Sequence, residues 1–163
     1  MTDRSGFDQF VHARGPALAR TAYLLTGDHH LAEDLVQTAL VQAAKHWERI
    51  ETSPEAYVRR TMYHQNISWW RRRKLTETPL ESYDAPAPAA DPTVRLTLEQ
   101  ALRRLTPRQR TVLVLRFYED LTEVETARAL QLSTSTVKST TRQALARLRV
   151  LEPELAELIG ADA

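Results

Sequence analysis

The chain has 163 residues, a formal net charge of +1 and no cysteine, which excludes a disulfide framework and a thiolate metal site and leaves packing and partners to hold the fold. Four glycines among abundant Ala, Leu, Arg and Glu favour helices over a turn-rich β architecture, and the length suits two small helical domains as well as one ordinary one. No run approaches the roughly eighteen apolar residues of a membrane span, and Met1 to Phe10 lacks the pattern of a signal peptide, so an all-α, cytoplasmic protein is expected.

In chain order, the apolar period predicts a first helix over 7–25 and a second over 29–48, separated by Thr26-Gly27-Asp28. The second buries Leu31, Leu35, Ala39, Ala43 and Trp47 and turns Asp34, Gln37, Thr38, Val41 and Lys45 to the opposite flank. Ser53 followed by Pro54 marks the start of a third helix over 54–73, an N-cap with proline at the first helical position. From Ala56 to Thr76 this segment holds five Arg and one Lys without an acidic residue. At about 100° per residue, Val58, Met62 and Trp69 form a core seam, and Arg59, Tyr63, Asn66 and Trp70 share the adjoining flank. Aromatics interleaved with arginine suit stacking on unpaired bases while the backbone charge is neutralised, although Tyr63 and Trp70 fit equally well as core residues.

From Thr76 to Pro92, four prolines among Ala, Ser, Asp and Glu read as a linker between an N-terminal and a C-terminal lobe. Beyond it, helices are expected over 93–104, 107–118, 122–130 and 134–150, with Pro153 ending the last. Thr106-Pro107 with Gln109 and Thr122 with Glu125 are capping boxes. The short helix from Leu121 to Leu130, a tight polar break and a helix capped by Ser133 follow helix-turn-helix grammar. Val124, Ala127, Leu132 and Val137 have the spacing to fill the angle between those two helices. Thr134, Ser135, Thr136, Lys138, Ser139 and Arg142 would line the exposed side of the second, with hydroxyls for bases or phosphates and cations for guanine edges or phosphate. Thr126 to Leu151 is a second basic stretch without Asp or Glu. The bland alternative is a helical hairpin with a solvated polar face.

Taken in order, these segments resemble the extracytoplasmic-function sigma factors of the sigma-70 family, especially the actinobacterial, SigE-like subgroup whose first domain carries Ser-Trp-Trp-Arg-Arg, here Ser68 to Arg72. The likeness implies that 5–75 is sigma region 2, 76–92 a flexible linker, 93–152 sigma region 4 and 153–163 a short tail. Ala32-Glu-Asp-Leu-Val-Gln-Thr-Ala39 is similar to the segment that grips the polymerase clamp, which implies Asp34, Gln37 and Thr38 as core-polymerase contacts. Arg59 to Arg73 is similar to the segment that opens and reads the minus-ten element, implying Arg59, Arg60, Tyr63, His64, Asn66, Trp70, Arg71, Arg72 and Arg73. Leu105-Thr-Pro-Arg-Gln-Arg110 through Thr136-Val-Lys-Ser139 to Ala146-Arg-Leu-Arg149 is similar to region 4, which reads the minus-thirty-five element through Thr134, Ser135, Thr136, Lys138, Ser139 and Arg142. The implied partners are RNA polymerase core, through its beta-prime clamp and beta flap, and promoter DNA, with an anti-sigma factor as a further candidate. No cofactor, metal, membrane insertion or small-molecule substrate is implied, and the protein would not be an enzyme. Gln131 stands where the family usually has glycine in the turn, Ser135 replaces a frequent second glycine, and His64 stands where Asn is common. A left-handed turn residue other than glycine carries strain.

Two other classes compete. A one-component helix-turn-helix regulator would share the C-terminal lobe, but a phosphoacceptor domain needs strand-period runs that 1–75 does not show. A metalloprotein would need His12, His29, His30, His46 and His64 to converge, and no pair has the His-Glu-x-x-His spacing of a zinc helix.

Overall fold

The computed structural model describes residues 4–76, 98–154 and 157, without the side chains of 73–76. Among these residues every regular element is helical. The chain divides into two compact units, Met1–Trp70 and Arg71–Ala163.

The first unit is built on α1 (Arg4–Thr26), α2 (His29–Lys45) with a 3-10 turn at Trp47–Arg49, and α3 (Pro54–Thr76), whose last turns run past the unit boundary. Gly27 takes φ 69°, the left-handed conformation that costs glycine nothing, and so reverses the chain between α1 and α2. Asp28 then caps α2, its Oδ1 accepting the Leu31 N–H at 3.0 Å. The core holds Leu18, Ala22 and Leu25 of α1, Ala32, Leu35, Ala39 and Ala43 of α2, and Val58 and Met62 of α3. Three alanines on α2 let the helices approach closely. Ala32 is buried and Leu31 only partly, while Trp47 is half-exposed, so the buried stripe of α2 is smaller than its periodicity suggests. Trp47 instead packs on Phe7 in a T-shaped pair and on Phe10 in a tilted one, with ring centroids 5.4 and 5.6 Å away, near the start of α1.

The second unit contains α4 (Leu98–Arg103), α5 (Pro107–Leu113), which widens into a π turn at Val114–Tyr118, α6 (Glu123–Leu130) and α7 (Thr134–Leu151). Both expected capping boxes form: Thr106 Oγ1 accepts the Gln109 N–H at 3.2 Å, and Thr122 Oγ1 accepts that of Glu125 at 3.1 Å. Val112 to Leu115, Ala127, Leu130, Val137, Ala144, Leu145 and Leu148 make the core. Arg116 donates to the Leu121 carbonyl at 2.6 Å and ties the turn after the π segment, where Asp120 takes φ 58°, to the start of α6. Val124 is 55% exposed and does not fill the angle between α6 and α7; Thr126, Ala127 and Leu130 do.

The expected linker 76–92 lies outside the described residues except for Thr76, which ends α3, and so does the 93–97 portion of the expected helix over 93–104.

Candidate nucleic-acid interface

In the second unit, α6 and α7 pack against each other across Gln131 and Leu132. Gln131 adopts φ 56° and ψ 42°, so the position where glycine was expected is left-handed and strained by a side chain. Ser133 begins α7, its Oγ accepting the Thr136 N–H at 3.1 Å. The same hydroxyl lies 3.1 Å from that of Ser135 and 2.8 Å from that of Thr136, and Ser139 donates to the Thr136 carbonyl at 3.1 Å. The hydroxyls of the leading turn thus serve local geometry first.

The buried side of α7 is Val137, Thr140, Ala144, Leu145 and Leu148. Ser135, Lys138, Ser139 and Arg142 are exposed, as the sequence predicts, and Thr134 and Thr136 are half-buried beside them. Lys138 Nζ lies 3.8 Å from a carboxylate oxygen of Glu123 at the start of α6. Arg142 makes no ion pair among the described residues. An exposed polar helix face with Lys138 and Arg142 on its leading turns, set by a capped turn on a packed partner helix, has the dimensions and donors to enter a major groove.

In the first unit, α3 does not present the flank expected of it. Arg59 donates to Glu55 Oε1 at 2.9 and 3.1 Å and to Thr21 Oγ1 of α1 at 2.8 Å, and its side chain is 17% exposed. Arg14 of α1 reaches the same Glu55 oxygen at 2.6 Å. Glu55 is the hub of a clamp between α1 and α3. The hydrogen bond from Arg14 holds its carboxyl below the ordinary 4.5, against the opposing effect of burial and with help from Arg59.

Tyr63 and Asn66 are 5% and 2% exposed, so both belong to the core and not to an open stacking surface. The reason is angular. Val58, Arg59, Met62, Tyr63 and Asn66 together cover about 140° of the helix, a wider buried arc than the single seam inferred from Val58, Met62 and Trp69. Trp69 and Trp70 are both half-buried. The outward stripe is Arg60, His64 and Arg71, all exposed, with Arg72 exposed as well; Arg73 lies on α3 but its side chain is outside the description. These residues form a basic outer face on a helix free of acid beyond Glu55.

On α2, Asp34 and Gln37 are exposed and Thr38 is half-buried, with Val41 52% exposed one turn further on the same side. A valine uncovered on a polar face is the kind of small apolar spot that partner surfaces cover. Groups of three or more His, Asp or Glu able to hold a metal are absent among the described residues.

The Arg14–Glu55–Arg59–Thr21 clamp was not foreseen. The Glu55–Arg59 spacing of four was legible as a helical ion pair, but Arg14 is 41 residues from its partner, and nothing local announces that pairing. Glu123 escaped notice for the same reason, its partner lying on a different helix.

Residues 10–76 match Sigma-70 region 2, and residues 101–150 match Sigma-70, region 4. The chain is 44% identical over 151 residues to the RNA polymerase sigma-E factor of Streptomyces coelicolor, covering 88% of this chain and 84% of that protein. It is 30% identical over 153 residues to the ECF RNA polymerase sigma factor SigM of Mycobacterium tuberculosis, covering 90% of this chain and 76% of that one. In fold it is similar to the sigma factor RpoE in its complex with the anti-sigma factor NepR from Bartonella quintana, with a TM-score of 0.65, 24% identity, and coverage of 90% of this chain and 96% of that chain.

Proposed function

Since this chain belongs to the sigma-70 family, in its extracytoplasmic-function group, we propose that its two units divide promoter recognition between them, with α7 reading the minus-thirty-five element and α3 opening and holding the minus-ten element. The protein directs RNA polymerase core to promoters and promotes initiation there. It does so in the cytoplasm, by binding, without itself catalysing a reaction. The observation that carries the reading is the exposed face of α7, where Lys138 and Arg142 stand among Ser135 and Ser139 on a helix without acidic residues.

Arg142 is the base reader and Lys138 a backbone contact. They are one turn apart, about 6 Å along the axis, which suits one base edge and one phosphate better than two contacts to one base. Ser135 and Thr136 serve the phosphate nearest the start of α7, with Thr134 and Ser139 beside them. On α3, Arg60, His64, Arg71, Arg72 and Arg73 follow the backbone of the opened strand, and Trp70 offers a half-covered ring to an unpaired base. Tyr63, Asn66 and Arg59 support this surface from behind: their burial and the contacts of Arg59 to Glu55 and Thr21 favour that role over direct contact. Asp34, Gln37 and Thr38, with Val41, form the polymerase-facing patch against the beta-prime clamp, while the second unit meets the beta flap. An anti-sigma factor would act by covering one of these surfaces.

Run-off transcription with core polymerase on a promoter library tests the reading. Enrichment of promoters with two short motifs at a fixed spacing is expected. Arg142→Ala should relax preference at one position of the upstream motif, at a cost of about 1 to 3 kcal/mol, while Lys138→Ala should weaken all sequences alike. Identical selected sequences for wild type and both variants would remove α7 from direct readout.

A further inference from the structure

We propose that Glu123 tempers the DNA affinity of the helix-turn-helix, acting as a built-in counter-ion for Lys138. The proposal rests on the reading of α7 as the major-groove helix and adds a residue to it.

The first turn of α6 carries two carboxylates with separate tasks. Glu125 closes the capping box, its Oε2 accepting the Thr122 N–H at 2.8 Å. Glu123 has no part in the cap, and its Oε2 lies 3.8 Å from Lys138 Nζ. The basic stretch from Thr126 to Leu151 contains no acid of its own, so this one is supplied from across the turn. The side chains are 57% and 36% exposed, and a pair so open to solvent adds little to folding.

Its consequence falls on DNA approach. A free lysine is a point charge that any phosphate satisfies, whatever the sequence. With Glu123 beside it, Lys138 can neutralise a phosphate only by giving up its partner, and the carboxylate left behind faces the negatively charged backbone. The phosphate contact of Lys138 is the same on every duplex, so this cost falls alike on cognate and non-cognate sequences. Glu123 thereby lowers the affinity of α7 for DNA in general and leaves the choice of sequence to the base contacts of Arg142.

The test uses holoenzyme assembled from the full chain and core polymerase, titrated over a range of salt with promoter duplex carrying either a selected or a scrambled minus-thirty-five element. Wild type, Glu123→Gln, Lys138→Ala and the double variant are compared. Glu123→Gln should tighten binding to both duplexes roughly two- to fivefold, steepen the salt slope by about 0.9, the equivalent of one further phosphate, and leave the selected-to-scrambled ratio unchanged. In the Lys138→Ala background the same substitution should change nothing. Unaltered or weaker binding by Glu123→Gln would overturn the proposal, as would an effect of equal size without Lys138. A wild type that fails to distinguish the two duplexes would overturn the reading of α7 and the proposal with it, whereas discrimination lost in Arg142→Ala alongside affinities unaltered by Glu123→Gln would overturn the proposal alone.

Discussion

At Gln131 a side chain occupies a left-handed turn, with φ 56°, between α6 and α7 of the second unit. The Cβ clash there costs about 1 to 2 kcal/mol, and glycine removes it while losing some entropy to the unfolded chain. Gln131→Gly is therefore expected to stabilise the second unit by about 1 kcal/mol, read as a higher urea midpoint at unchanged slope. No gain would mean that the Gln131 side chain contributes as much as its strain removes. Glu55 makes a different kind of claim, because its carboxyl is held below 4.5 in the folded chain, chiefly by Arg14. A lowered acid contributes stability that is present above the unfolded value of 4.5 and is lost as pH falls through the lower folded value. Glu55→Gln should therefore lower the melting temperature at pH 7 and flatten its dependence on pH below about 4.5. Parallel melting curves for the two proteins across that range would show that the clamp does not govern acid stability.

At the scale of the helix, α3 separates buried from outward residues that a simple basic-aromatic pattern merges. Tyr63 is core and Arg71 is surface, so their replacements should fail differently. Tyr63→Ala is expected to destabilise the first unit by about 3 kcal/mol or more through the cavity it leaves, impairing every activity together. Arg71→Ala should leave stability within about 0.5 kcal/mol and reduce the salt slope on pre-melted promoter DNA by about 0.7. Loss of DNA binding by Tyr63→Ala with an unchanged melting temperature would restore that ring to direct contact. On α2, Asp34 and Gln37 are exposed and alanine is the better helix former, so the double replacement by Ala should keep circular dichroism intact. Its affinity for core polymerase should fall, and an equal titration curve with core would remove the patch from that contact.

At the scale of the whole molecule, the proposed division of labour requires two units to reach two promoter elements at once. The segment from 76 to 92 spans at most roughly 55 to 60 Å when extended, close to the roughly 58 Å of seventeen base pairs at 3.4 Å each. Ten additional Gly and Ser residues inserted there should leave core binding intact and broaden the spacer lengths accepted in promoter selection. Unchanged spacer preference would show that polymerase, and not the length of this segment, sets the distance between the units.

The sequence by itself determined the helical class, the order of elements and most of their starts among the described residues. Those features are encoded locally: Ser53-Pro54, the Thr106 and Thr122 capping boxes and Ser133 act within three or four residues of themselves, and each forms. The ordered motifs likewise carried the family, because region 2 and region 4 are strings of adjacent residues. Which way each side chain faces was decided by tertiary packing. The core seam of α3 widened to take in Tyr63 and Asn66, and Val124 turned out to solvent, because burial depends on what packs against a helix and not only on its own period. The clamp from Arg14 to Glu55 and the pair of Glu123 with Lys138 belong to the same class, since charges on separate helices meet only after the helices have packed.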